Sequence, residues 1–180
     1  METSDRLWKE VLRLSRETSV ETIDEVARQC LEMELPWTSR LAGVAGVLHQ
    51  VVGLPTGVSI YGVVKPGSGL VLAAGAGLAG PMAAAWGAPI AGLAAQEQAA
   101  QFAGQARAFH DYLGGWMGVA ECIAVPVMRD RRLFAVLEIR SHEEGRLGLA
   151  EAELTARLAA DIALVWPQPS QNHETWRTSR

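Results

Sequence analysis

The residues with most capacity for chemistry lie in one stretch, ECIAVPVMRDRRLFAVLEIRS, from Glu121 to Ser141. Two carboxylates (Glu121, Glu138), a thiol (Cys122) and a guanidinium (Arg140) are set there among aliphatic side chains. A carboxylate in apolar surroundings needs a partner. Glu138 can pair internally with Arg140, or it can hold the amine of a ligand; the sequence leaves both open. A thiol attacks only as thiolate, which needs a nearby cation or helix N-terminus. No such cation is obvious beside Cys122, and Cys30 is far away and in no metal-ligand spacing with it. Tyr61, in GVSIYGVV, offers a phenol donor if it faces the same side. Trp86, Trp116 and Met117 either line a ligand cavity or pack over a small sheet. His49 reads as a boundary residue. Gly75, Gly77 and Gly80 lack the Lys-Ser/Thr pair and βαβ setting of a phosphate loop, so they read as strand end and turn. No Ser-His-Asp set or catalytic carboxylate pair is defined by spacing.

Strands must position these groups. Val125, Val127 and Met128 precede the charged tetrad Arg129-Asp130-Arg131-Arg132, and Leu133 to Ile139 follow it. This pattern predicts a β-hairpin with a tight polar turn. Alternation puts Leu133, Ala135, Leu137 and Ile139 on one face and Phe134, Val136, Glu138 and Arg140 on the other. Both faces start apolar, so the strand is expected to be covered on both sides and Glu138 partly buried. Residues 57–64 read as another strand, KPGSG as its turn and LVLAAGAG as its partner.

Three helices are expected upstream. The first, over 5–17, carries Leu7, Trp8, Val11 and Leu12. The second starts near Thr18, which has capping-box spacing with Glu21; its stripe is Val20, Ile23, Val26, Ala27, Cys30 and Leu31. The third is capped by Thr38, carries Leu41, Val44, Ala45, Leu48, Val51 and Val52, and closes at Gly53 and Pro55. Residues 80–92 read as loop and turns. Ala94 to about Tyr112 reads as a helix on its Ala and Gln content. A last helix shows Leu154, Leu158, Ile162 and Val165 on one face and stops at Pro167. Hairpin-joined strands make an antiparallel sheet, and helices before and after it cover one face, an α+β layer.

Composition sets the outer limits. The chain has 180 residues, 49% of them hydrophobic, enough for one domain with a full core. Its 20 acidic and 16 basic side chains argue against a nucleic-acid surface, which would cluster Lys and Arg. Two cysteines fit a reduced, cytoplasmic setting. METSDRLWKE does not read as a signal peptide. Residues 66–96 carry no charge and are long enough to cross a bilayer, but they are rich in Ala and Gly and broken by Pro81 and Pro89. They read as a buried strand leading to a small-residue loop and helix, so no membrane partner is expected.

From about Thr38 to Trp166 the chain resembles the GAF domain family. The likeness rests on LPTGVSIYGVV, ECIAVPV, RRLFAVLEIRS and the helix LAEAELTARLAADIALV. It departs at Phe134-Ala135-Val136-Leu137, where the family often has a Gly. The resemblance implies a six-stranded antiparallel sheet of order 2-1-5-4-3-6, with helices on one face and a loop- and helix-covered pocket on the other. It places residues 1–37 outside the domain as a helical extension, the domain over 38–166, and a polar, disordered tail over 167–180. It also implies that Tyr61, Trp86, Trp116, Met117, Glu121 and Glu138 meet the ligand.

Within that family the free methionine-(R)-sulfoxide reductases are similar in size and in this hairpin. Glu121 falls at their Glu, Glu138 at the first of their two acids, and Arg140 replaces the second. Their cysteines lie in the middle segment, where residues 75–121 here have none. Bilin attachment lacks its Cys, and the cyclic-nucleotide signature is absent. His110 reads as a solvated helix residue or as an axial haem ligand. The expectation is therefore a stand-alone sensory module with no cofactor and no enzymatic role. It would bind a small metabolite or anion and signal through a partner. The competing reading is a structural GAF protein with a degenerate pocket. A homodimer is expected through the N-terminal and terminal GAF helices, because short amphipathic helices must bury their stripes.

Overall fold

The computed structural model describes residues 20–53, 55–78, 80–88, 90–104 and 118–167. The expected helix over 5–17, Thr18, most of the segment after Ala103 and the tail beyond Pro167 lie outside the described residues. The elements are α1 (Val20–Glu32), α2 (Trp37–Val52), β1 (Thr56–Lys65), β2 (Gly69–Gly77), β3 (Ala83–Ala84), α3 (Ile90–Glu97), β4 (Gln101–Ala103), β5 (Glu121–Arg129), β6 (Arg132–Ser141) and α4 (Leu149–Val165).

One antiparallel sheet runs in the order β3-β2-β1-β6-β5-β4. Leaving out the two-residue β3, the long strands and β4 follow the expected 2-1-5-4-3 order. The sixth strand differs: among the described residues it is β3, on the opposite edge, where Ala83 and Ala84 pair with Val71 and Leu70. The architecture is α+β and GAF-like.

The core has two layers. The first lies between the sheet and α1, α2 and α4, with Ile23, Val26, Leu41, Leu48, Val58, Ile60, Ile123, Leu137, Leu158 and Ile162 at its centre. The expected stripe of α1 is buried here from Ile23 to Leu31. Its apolar face is thus covered within one chain, and the argument that it needs a second chain lapses. Arg40 fastens the turn between α1 and α2: it donates to the carbonyl of Leu31 (3.1 Å), in the last turn of α1 where helix geometry leaves carbonyls without internal partners, and to that of Leu35 (2.8 Å) in the connecting turn. Thr38 is not the cap of α2. The helix begins one residue before it, with Pro36 as N-cap at φ −51°, so proline's fixed φ sets the start. Gly53 ends α2 at φ +76°, as expected. Val51 and Val165, assigned to apolar stripes, are exposed in the last turns of their helices.

The second layer lies on the other face. Tyr61, Leu70, Ala84, Ile90, Ala91, Ala94, Ala95, Cys122, Ala124 and Val136 form it. The uncharged stretch from residue 66 supplies β2, β3 and α3, and no described helix is long and apolar enough to cross a membrane. The expected helix over 94–112 is corrected. It starts at Ile90 and ends at Glu97, Gln98 turns left-handed (φ +50°), and residues 101–103 pair as an edge strand with Ala124, Ile123 and Cys122. Edge pairing to β5 overrides the local helix preference of Ala and Gln.

The β5–β6 hairpin is present, with Asp130 (φ +53°) and Arg131 (φ +61°) as a two-residue turn. Val127 opposes Ala135 and Met128 opposes Leu133, so Phe134 is a bulge. The bulge exchanges the faces of two residues. Leu133 packs with the second layer, and Phe134 stacks on Trp166 at the end of α4 (centroids 5.9 Å apart). The strict alternation expected for this strand holds only from Ala135 onward.

Candidate functional site

Three central strands present polar side chains to the second layer. Ser59 and Tyr61 come from β1, Cys122 from β5, and Glu138 and Arg140 from β6. Register brings them together: Ser59 pairs with Glu138, Tyr61 with Val136, Cys122 with Arg140 and Ala124 with Glu138. Glu138, Ser59, Tyr61 and Cys122 are fully buried, and Arg140 is 4% exposed.

Glu138 and Arg140 form an ion pair, with Nε 3.0 Å from Oε1. The guanidine N–H is not aimed at the oxygen, however. Among the described residues neither oxygen of Glu138 makes a well-aligned hydrogen bond, although the Cys122 thiol and the Ala91 N–H lie near enough to act on it. Burial is the largest influence on this carboxyl and pushes its pKa up to about 7. Arg140 opposes that rise, and the Cys122 thiol and the Ala91 backbone at the start of α3 oppose it more weakly. Tyr61 Oη also lacks a well-aligned hydrogen bond among the described residues, with the Ser59 hydroxyl near it. Burial and the neighbouring Glu138 raise its pKa.

Ser59 ties this set to its cover. Its Oγ accepts a hydrogen bond from Arg140 Nη2 (2.7 Å) and another from the Gly80 N–H (2.9 Å). Gly80 lies so close that a Cβ there would come 2.1 Å from Tyr61 Oη and 2.9 Å from Arg140 Nη1. Only glycine lets the backbone approach this near.

The other expected site residues fall differently. Glu121 is on the opposite face of the sheet, in phase with Ile123 and Val125 of the first core. Its two oxygens accept the backbone N–H groups of Gly145 (2.7 Å), Arg146 (2.9 Å) and Leu147 (2.8 Å). It anchors the loop that leads into α4, and the resemblance-based placement of Glu121 beside Glu138 does not match this geometry. Trp86 is half-buried in the turn before α3 and packs against the second layer. Trp116 and Met117 lie outside the described residues, as does His110. Ser59 and Gly80 were missed as site residues. The available signal was Ser59 itself, a hydroxyl in phase with Tyr61 on an apolar strand.

The thiols are separated and protonated. Cys30 lies in the first core and Cys122 in the second, on opposite faces of the sheet, and both are unpaired with another sulfur. Burial raises Cys30 to about 11. Arg140 pairs directly across from Cys122, a cationic neighbour that the sequence did not reveal. Burial together with Glu138 outweighs it, and Cys122 is raised well above the usual thiol range. No group of three or more His, Cys, Asp or Glu among the described residues is arranged to hold a metal ion.

Solved structures share this architecture. A free methionine-R-sulfoxide reductase from Neisseria meningitidis, in complex with its substrate, superposes with TM-score 0.72 at 23% identity, covering 86% of this chain and 89% of that one. An fRMsr of Staphylococcus aureus gives 0.70 at 18%, covering 82% and 95%. The GAF domain from an Acinetobacter phosphoenolpyruvate-protein phosphotransferase gives 0.70 at 17%, covering 80% and 90%. At these identities the likeness is one of fold. Among curated proteins no relative matches the sequence. The family model described as GAF domain matches residues 20–166, from the first residue of α1 to the one after α4. The chain belongs to the GAF domain family.

Proposed function

We propose that this protein is a sensory or regulatory GAF module. It would bind a small polar molecule between the central strands and the cover formed by Gly80, Trp86 and α3. The observation that carries this reading is Glu138. A fully buried carboxyl without a well-aligned hydrogen bond is costly, and native proteins rarely leave one. A ligand bearing an amine or other N–H donors would satisfy it, and Tyr61 Oη would meet a second polar group on the same molecule. The side chains around them (Ala91, Ala94, Ala124) are small. Family membership supports ligand binding as a general role, since one solved neighbour is a GAF domain of a phosphotransferase and others are reductases with bound substrate. A signal would pass to a partner chain or a second copy.

The test is native mass spectrometry of the purified protein, followed by thermal-shift screening against amino acids, oxyanions and nucleotides. A ligand that raises the melting temperature of the wild type but not of Glu138→Gln supports the reading. A ligand whose affinity ignores both Glu138→Gln and Tyr61→Phe places binding elsewhere and sinks it.

A second reading has its own observation. Arg140 lies 3.0 Å from Glu138, so the pair already closes on itself. In that case the second layer is a degenerate, Ala-filled core, and the protein acts through its surfaces. The reductase activity of the solved neighbours is not carried over. Two protonated thiols on opposite faces of a sheet cannot attack a sulfoxide and resolve the product. Thiol-dependent turnover of free methionine sulfoxide by the wild type would overturn that argument.

A further inference from the structure

We infer that Ser59 is a latch joining the buried Glu138–Arg140 pair to the strap that covers it. The strap runs from Gly80 through Met82 to Trp86. Among the described residues it is held at three places. The Gly80 N–H donates to Ser59 Oγ, Met82 O accepts the Leu72 N–H (2.9 Å), and Ala83 and Ala84 pair with the end of β2. Only the first of these contacts reaches the polar set. The same Ser59 oxygen accepts from Nη2 of Arg140, whose Nε lies 3.0 Å from Glu138 Oε1. A continuous chain therefore links Glu138, Arg140, Ser59 and Gly80. Whatever moves the Arg140 side chain alters the oxygen that holds the strap.

The rest of the geometry fits a strap that opens. Ser59, Tyr61 and Glu138 are fully buried, and the Gly80 backbone lies directly against Ser59, Tyr61 and Arg140. The two-residue β3 is a short edge strand with few bonds to break, and local openings draw on such weakly held segments. Gly80 contacts Tyr61 and Arg140 too closely to tolerate any side chain. What the strap admits depends on the ligand-binding reading above, but the latch is a property of the chain without ligand and is tested separately.

Amide hydrogen exchange on the full-length protein, with no ligand added, reads the latch directly. The reporters are the amides of Gly80 and Leu72; the controls are the β1–β6 amides. Ser59→Ala removes the shared acceptor and should speed exchange at the reporters by about 3- to 10-fold, the effect of one hydrogen bond, with the controls unchanged. Gly80→Ala leaves every sheet residue intact but drives a methyl into Tyr61 Oη, and it should speed the same reporters. Adding Tyr61→Phe relieves the contact with Oη but leaves the methyl 2.9 Å from Arg140 Nη1, so it should slow exchange only in part in the Gly80→Ala background. If Ser59→Ala does not fold, the Gly80→Ala pair of measurements decides alone. Unchanged reporters in Gly80→Ala, or controls that accelerate as much as the reporters, would each overturn the latch.

Discussion

Glu138 decides how this protein responds to pH. Its carboxyl titrates at about 7 in the fold against an ordinary value of 4.5. Between those values the folded chain binds more protons than the unfolded one, so stability falls as pH rises from about 4.5 to about 7 and is level above. The groups facing it are Arg140 on its own strand, Cys122 on β5, Tyr61 on β1 and the Ala91 backbone of α3. Glu138→Gln removes this term. Urea unfolding of both proteins at pH 5 and pH 8 should show their stability difference moving in favour of the wild type at pH 5 by on the order of 3 kcal/mol. A difference that stays the same at both values would mean the carboxyl titrates normally. The cysteines make a second expectation at this scale. With both thiols buried and protonated, neither should react with a thiol-modifying reagent at pH 8 until urea unfolds the chain. Fast labelling of either in native buffer would contradict that.

The hairpin turn and the loop before α4 are the elements with the clearest energetics. Asp130 and Arg131 both sit in the left-handed region without being glycine, where each L-residue is strained by roughly 1–2 kcal/mol. The two-residue turn of this twist prefers Asp-Gly. Arg131→Gly should therefore stabilise the protein by about 1 kcal/mol, read as a higher urea midpoint with an unchanged slope. The opposite sign is expected at Glu121. Its three charge-assisted bonds hold Gly145, Arg146 and Leu147. Glu121→Ala leaves buried N–H groups without acceptors and should cost roughly 2–4 kcal/mol, with ligand binding at the opposite face untouched once the fold is restored by low temperature. A loss of affinity larger than the loss of stability would return Glu121 to the binding site.

At the scale of the whole molecule, α1 is part of the domain core. Ile23, Val26, Ala27, Cys30 and Leu31 are all buried, and the helix packs on α2 and α4. Each such side chain is worth roughly 1.5–3 kcal/mol on burial, the smaller Ala and Cys less, and together they rival the stability of a typical domain. A chain lacking residues 1–34 should therefore fail to fold, seen as loss of a cooperative thermal transition. A soluble, cooperatively folding truncation would show that the domain does begin at α2. The homodimer remains a proposal, and the exposed Leu149, Leu164 and Val165 of α4, the last GAF helix, offer it a surface. Light scattering at micromolar concentration tests it.

Local pattern alone determined a good part of this protein. Alternation located β1, β2 and the β5–β6 hairpin, helical periodicity located α1, α2 and α4, and the motif set carried the family resemblance. These features are written in neighbouring residues, because a side chain's face follows from its place in a strand or helix turn. The internal pairing of Glu138 with Arg140 was also legible, since two residues apart on a strand share a face. What lay beyond the sequence depended on contacts between distant segments. β4 pairs to β5 where composition favoured helix, and a bulge reverses Leu133 and Phe134. Register, set by all the strands together, turned Glu121 away from Glu138 and toward the loop before α4. Arg140 came to oppose Cys122, and Ser59 met the Gly80 backbone, 21 residues further along the chain. No local rule fixes such meetings, because register and the path of a covering loop are chosen by the packing of both faces at once.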